Sequence, residues 1–474
     1  MSHPRRFGLS LGLITANLLL AFWCCLSLVP VSRAADRLVW REKENSVDAD
    51  IDGCSLNRLL ERIAAKTRWQ VFLEPETEHT VTAKFKGLKS GEALRRLLGN
   101  LSFAIVPATN APPRLLVFRT SMRAATDLVA APAELDPGAT GSHKIPNELI
   151  VTLKPGSKES IEELAKRLGA KVIGRMDDLH AYRLKFDSEE AAQAARLALA
   201  QSEDVSGIDS NYVVARPDRP EGLALGGVAP LLLRPNAGSD TSRIIIGLVD
   251  TGVQTQGTVV KGFLLPGVSV AGDGTQAADQ LAHGTAMAET MLYSLANGKE
   301  GTTPVRILPV DVYGSAETTT TFEIAKGIQA AVNSGATIIN LSLGGEGDSG
   351  FLQQLIKAAH DQGVIFVGAA GNSPVTTPTY PAAYPEVIAA TASTRGGSIA
   401  SYANRGDFVD VAAPGTSIVP FMDRSYLVVG TSTATAYISA ATAALMSSTG
   451  KRGAALEAQV RQTFGLVVPA PGGK

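Results

Sequence analysis

Five continuous apolar runs recur in the C-terminal half of the chain, spaced to leave room for a helix between most of them: "RIIIGLV", "VRILPV", "ATIINLSL", "GVIFVGAA" and "EVIAATA". A strand with one wet face alternates apolar and polar residues, so uninterrupted runs predict strands covered on both faces. Between them, "TTFEIAKGIQAAVNSG" and "FLQQLIKAAHDQG" carry helical spacing. This alternation predicts an α/β module over residues 241–474, a parallel sheet with helices on both faces. Such sheets bind ligands beyond the carboxyl ends of their strands, so the residues that follow each run are the places to look for chemistry.

Four polar residues stand there. Asp250 follows "IIIGLV" and precedes Thr251-Gly252; taken alone it is an ordinary turn or cap aspartate. Asn372 follows "VIFVGAAG", where a left-handed turn residue beside Gly371 would be unremarkable. Ser432 follows Val429-Gly430-Thr431 at a helix start, where serine is a common N-cap. His283 opens the helical stretch "HGTAMAETMLYSL". A histidine near a helix C-terminus is stabilised as a cation, which accounts for His360 in the last turn of "FLQQLIKAAH". His283 lies at the opposite end, where the neutral ring is favoured, the form a general base needs.

Together these residues make a chemical set. A serine hydroxyl is a weak nucleophile and needs a base to take its proton. An imidazole base needs a carboxylate on its other nitrogen to hold the tautomer and stabilise the imidazolium. A tetrahedral intermediate needs donors for its oxyanion; the backbone N–H of Ser432 and the amide of Asn372 suit that role. An esterase of the hydrolase fold would instead need a G-x-S-x-G elbow, whereas residues 430–434 read "GTSTA", and its serine would precede the acid and the base.

The motifs "IIIGLVDTGV", "HGTAMA", "INLSLGG", "FVGAAGN", "YPAAYPEVIAATAS", "VAAPGTSI" and "GTSTATAYISA" resemble, in order, those of subtilisin-like serine peptidases. The resemblance implies that Asp250 orients, His283 is the base, Ser432 attacks and Asn372 serves the oxyanion hole. It further implies that Ser342, Leu343 and Gly344 form an edge that pairs with an extended polypeptide substrate, and that Thr379 is a candidate for lining the pocket beside it. Thr431, Thr433 and Thr435 are expected mostly to support packing. Three positions depart from the family pattern: Ala436 where proline is usual, Tyr437 where histidine is common, and Glu289 where glycine is usual. The loop "ANGKEGTTP" lacks the family's calcium pattern, so no metal is expected there, and the chemistry calls for no cofactor.

Two smaller modules precede this one. Residues 144–216 order as βαββαβ, a ferredoxin-like unit, with Ile161, Leu164 and Leu168 on one helix and Gly169 as its C-cap. The stretch "NELIVTL…SNYVVARP" resembles the inhibitory propeptide of such peptidases. That implies a partner in cis, with the last strand in the substrate cleft until a cut between Tyr212 and Ser242, within or beside a linker at 217–240. Residues 38–121 read as a small α/β module: a helix in "SLNRLLERIAAKT", with Cys54 at its opening, a strand in "TVTAKFKGL", a second helix in "SGEALRRLLGNL" with Ser90 as N-cap, and a strand in "RLLVFRT". This module resembles the short N-terminal domain of secretins and TonB-dependent receptors, which implies an envelope protein partner. Residues 122–143, rich in Ala, Pro, Gly and Thr, read as a linker.

The first 34 residues read as an export signal. "HPRR" is basic, an apolar run extends from Phe7 to Ser32, and Ser32 and Ala34 suit a cut after Ala34. A run that long can also span a bilayer as an uncleaved anchor. Secretion or a periplasmic location is expected. The mature chain keeps only Cys54, which excludes an internal disulfide and a thiolate zinc site. A net charge of -1 gives no basis for bulk binding of nucleic acid. Two functions follow: an exported serine endopeptidase made as a zymogen or, in a different class, a catalytically idle envelope scaffold that retains the peptidase fold.

Overall fold

The apolar runs assemble into a single parallel sheet. In a computed structural model that describes residues 37–41, 44–106, 113–125, 127–129, 143–223, 228–236, 244–272 and 279–466, seven strands lie in a fixed order. They are Val268–Ser269, Val305–Asp311, Ile244–Asp250, Ile338–Leu341, Ile365–Ala369, Val387–Ser393 and Val411–Pro414. Every neighbouring pair is parallel. The chain runs to one side of Ile244–Asp250 and later to the other, so the strand order switches direction there. Asp250 ends that central strand, at the place where open α/β sheets form a crevice.

Residues alternate between two apolar layers along each strand. Ile246, Leu248, Ile338, Ile365 and Val367 pack with helices His283–Ala296, Thr431–Thr449 and Gly453–Phe464. Val249, Ile339 and Phe366 pack on the opposite face with helices Thr321–Asn333 and Gly350–Asp361. This period of two, with apolar residues in both registers, is why the runs are continuous in sequence.

The described chain forms two compact units, residues 37–59 with 79–99, and the rest. The first carries an antiparallel sheet of Arg37–Arg41, Ser46–Ser55 and Thr80–Leu88, and helix Ser90–Leu98 with Leu94, Leu97 and Leu98 buried. Two expectations need correction here. Cys54 closes a strand, paired with Val81, rather than opening the helix that begins at Leu56. Ser90 lies inside its helix after Lys89, because the Asn45 side chain accepts its backbone N–H at 3.1 Å and leaves no need for a serine cap.

Within the second unit, the sheet Ser102–Val106, Arg114–Phe118, Gln70–Leu73, Asp127–Val129 includes a strand from the stretch expected to be linker. The βαββαβ order holds in full. Strands Val205–Ala215, Lys144–Leu153, Ala181–Lys185 and Lys171–Met176 lie side by side in that order, all antiparallel. Its first helix, Ile161–Leu168, starts on a Ser160–Glu163 capping box and ends on Gly169 at φ 67°.

Candidate active site

The end of the central strand and the start of a helix converge on one carboxylate–imidazole contact. The His283 Nδ1 lies 2.9 Å from both Asp250 carboxylate oxygens. Asp250 is fully buried and His283 nearly so. Asp250 also caps its own turn, since Thr251 N–H donates to Oδ1 at 2.6 Å. Asp250 therefore makes both the turn-capping bond and the contact with His283. The close approach depends on Gly284. A Cβ there would sit 2.2 Å from the Thr251 carbonyl oxygen, so a side chain would push the histidine helix off the aspartate. The Gly284 N–H instead donates to Thr251 Oγ1 at 2.9 Å.

Ser432 is the second residue of helix Thr431–Thr449, and its N-cap position is Gly430, with no side-chain cap. The simple capping explanation for the serine therefore fails. Its half-buried hydroxyl donates to the Ser342 carbonyl at 3.2 Å rather than to His283. The helices bearing His283 and Ser432 pack directly against each other. Ser342 is bound to the serine a second time, its own hydroxyl donating to the Ser432 carbonyl at 3.2 Å. Asn340, which donates to Ser342 and accepts from Ser439, ties the same strand end to the helix.

Asn372 does not occupy a left-handed turn. The positive φ, 107°, belongs to Gly371. The Asn372 carbonyl oxygen accepts from both the backbone N–H and the hydroxyl of Thr431, at 2.9 and 3.1 Å. With the oxygen engaged, the amide N–H₂ is the group left to donate. Thr431 also accepts from Gly371 N–H, so this threonine orients the amide as well as packing. Asn404, buried, accepts from Ser373 N–H and donates to Thr379 Oγ1 at 3.1 Å. It holds the turn that carries Asn372. Neither role was visible in the sequence, because both partners lie far away in the chain.

Of the proposed substrate edge, Ser342 and Leu343 are buried, with Leu343 in the core, and Gly345 exchanges both backbone hydrogen bonds with Tyr380. Gly344 lies against Tyr380 and Thr379, where a Cβ would come within 2.9 Å of the Tyr380 carbonyl.

The ferredoxin-like unit is fastened beside this site. Val213–Ala215 pair antiparallel with Thr318–Thr320. Asn211 accepts from Thr321 Oγ1 and Phe322 N–H, at the start of helix Thr321–Asn333. The Asp209 carboxylate accepts from Ser349 Oγ and Phe351 N–H, both at 2.7 Å, at the start of helix Gly350–Asp361. Anionic or polar oxygens at two helix N-termini satisfy donors that would otherwise lack partners. Tyr313, whose phenol burial drives well above its ordinary pKa, donates to the Ala215 carbonyl at 3.0 Å. Past Ala215 the chain reaches Glu221–Leu223, which pair antiparallel with Arg424–Val429, the strand that leads to Ser432. On the way, Arg219 pairs with Gln280, three residues before His283.

Glu289 lies fully buried on the histidine helix. One carboxyl oxygen accepts from Val259 N–H at 3.3 Å and the other has no partner. Burial pushes its pKa up to about 8 from an ordinary 4.5. Between those values the folded chain binds a proton that the unfolded chain has released, so stability falls as pH rises through the window and is fully retained only below it. A Glu289→Gln variant is expected to lose this dependence. From pH 5 to 7.5 the parent should lose about 3 kcal/mol relative to the variant, roughly 1.4 kcal/mol per unit. Urea melts of both proteins in a Ser432→Ala background, at several pH values, measure the difference, and parallel pH curves would contradict it.

The Subtilase family profile matches residues 241–464, and the Fervidolysin N-terminal prodomain profile matches residues 131–209. Thermitase of Thermoactinomyces vulgaris is 34% identical over 223 residues, 46% of this chain and 80% of its own length. Subtilisin DY of Bacillus licheniformis is 33% identical over 215 residues, 44% of this chain and 77% of its own. Crystal structures of fervidolysin from Fervidobacterium pennivorans and of the epidermin leader peptide processing serine protease from Staphylococcus aureus share the fold. Their TM-scores are 0.50 and 0.51, at 20% and 18% identity, covering 66% and 65% of this chain and 56% and 90% of their own.

Proposed function

Since the chain belongs to the subtilase family of serine endopeptidases, we propose that it is exported as a zymogen and cleaves extended polypeptides through Asp250, His283 and Ser432. The buried contact of both Asp250 oxygens with His283 Nδ1 carries this reading. It leaves Nε2 as the nitrogen that takes the Ser432 proton. Attack of Oγ on the scissile carbonyl forms a tetrahedral oxyanion, for which the Ser432 N–H and the Asn372 amide are the donors. His283 returns the proton to the leaving amine, and water then repeats the sequence on the acyl-enzyme. On this reading Ser342, Leu343 and Gly344 supply backbone to the substrate strand, and Thr379 borders the adjoining pocket.

The domain scheme goes with it: signal 1–34, first module 38–121, propeptide 144–216, and peptidase 241–474 after the 217–240 linker. The signal lies outside the described residues. The envelope partner suggested for 38–121 remains part of this proposal, as does secretion or a periplasmic location.

Within the range Tyr212–Ser242, we place the cut in the segment Arg216–Pro220. It joins a strand held at Thr318–Thr320 to one held on Arg424–Val429. Two of its four bonds would release proline nitrogens, which lack the N–H of an ordinary leaving amine. The remaining bonds are Pro217–Asp218 and Asp218–Arg219. Mass spectrometry of the purified exported protein is expected to find a new N-terminus at Asp218 or Arg219, absent from the Ser432→Ala protein. An intact chain in both, or cleavage in both, would contradict the reading and favour the idle scaffold.

A further inference from the structure

Upstream of that cut, the peptidase module is gripped at a second place. Phe72 and Leu116, from the sheet that ends at Asp127–Val129, and Ala125, which precedes its last strand, form one buried cluster with Leu427, and Ile418 packs against it. Leu427 and Ile418 face each other across the hairpin of strands Thr416–Phe421 and Arg424–Val429, which runs directly into Gly430–Ser432. The Ser401 hydroxyl donates to the Leu128 carbonyl at 2.9 Å, fixing the edge strand of the same sheet. The first anchor is separate in space and chemistry: a strand on Thr318–Thr320 and polar caps on two helix starts.

We infer that the sheet of strands Gln70–Leu73, Ser102–Val106, Arg114–Phe118 and Asp127–Val129 is a second anchor of the prosegment, so that after self-cleavage the released segment stays bound at two sites and inhibits bivalently. The inference rests on the zymogen reading above. Residues 70–129 and 144–215 lie on one covalent stretch, joined by residues 130–143. A tether that short turns rebinding of either anchor into an intramolecular event at roughly millimolar effective concentration, which strengthens holding by about 10²–10⁴-fold without any new contact. Escape then requires both anchors to open together, or the tether to be cut. The Phe72–Leu116–Ala125 patch is thus covered by the chain's own hairpin.

The test uses the full-length chain with a recognition site for a sequence-specific protease inserted between residues 131 and 142. The protein is allowed to process itself, and the non-covalent complex is isolated by size-exclusion chromatography. Onset of hydrolysis of a short peptide substrate is then followed with and without severing of the tether. Severing is expected to speed the appearance of activity about 100-fold or more. With the tether intact, Leu427→Asp, which places a charge in the second anchor, is expected to act in the same direction. If that variant fails to fold, the severing arm decides alone. Activity that appears at one rate, severed or not, would overturn the inference while leaving the zymogen reading standing. A chain that never cuts itself would overturn both.

Discussion

Ser432→Ala is expected to lower turnover of an extended peptide by about a million-fold while leaving the fold intact, the magnitude known for removing the nucleophile of subtilisin itself. The structural cost of the change is small. The hydroxyl makes one hydrogen bond, to the Ser342 carbonyl. The reciprocal bond uses the Ser432 backbone carbonyl, which alanine keeps. Alanine is also the best helix former, at a position already inside the helix. The half-buried site requires no large rearrangement. Steady-state kinetics beside thermal melts separate the two effects: a fall in kcat with an unchanged melting temperature is the expected result. A variant that keeps more than about a thousandth of the parent rate would mean that another group does the chemistry.

Asp250→Asn is expected to cost about 10⁴ in kcat, the scale seen when a triad aspartate elsewhere becomes its amide. The amide oxygen can still accept from Thr251 N–H, where Oδ1 now does. The other end would present N–H₂ to His283 Nδ1. The ring then accepts at Nδ1 and carries its proton on Nε2, the nitrogen that must be free to take the Ser432 proton. Size and burial hardly change, so binding should survive. A drop in kcat with KM within a few-fold separates wrong-tautomer loss from collapse of the site. A large rise in KM with kcat unchanged would place Asp250 in substrate binding instead.

How much of this was legible in the sequence depended on distance along the chain. The parallel sheet could be read because each strand announces itself locally, by a run such as "RIIIGLV" whose residues divide between two covered faces. The βαββαβ unit was readable for the same reason, helped by Ser160 and Gly169 at its first helix. Asp250, His283, Asn372 and Ser432 could be singled out as candidates because each follows or opens a local element at one end of the sheet. Their contacts could not. The Gly284–Thr251 approach, the Thr431 grip on Asn372 and the Asn404 brace on Ser373 join residues 31 to 59 positions apart, and nothing local distinguishes these threonines and asparagines from their neighbours. The capping of two helices by Asp209 and Asn211 spans more than 100 positions. Cys54 and Ser90 were misplaced because the contacts that set their positions, strand pairing with Val81 and the Asn45 side chain, come from far along the chain.

Labelling with a fluorophosphonate probe tests most directly whether His283 activates Ser432. After the processed protein reacts with the probe and is digested, the account predicts one modified peptide, carrying the adduct on Ser432, and no modification of the Ser432→Ala protein. Equal labelling of both proteins, or an adduct on another residue of the peptidase module, would contradict it.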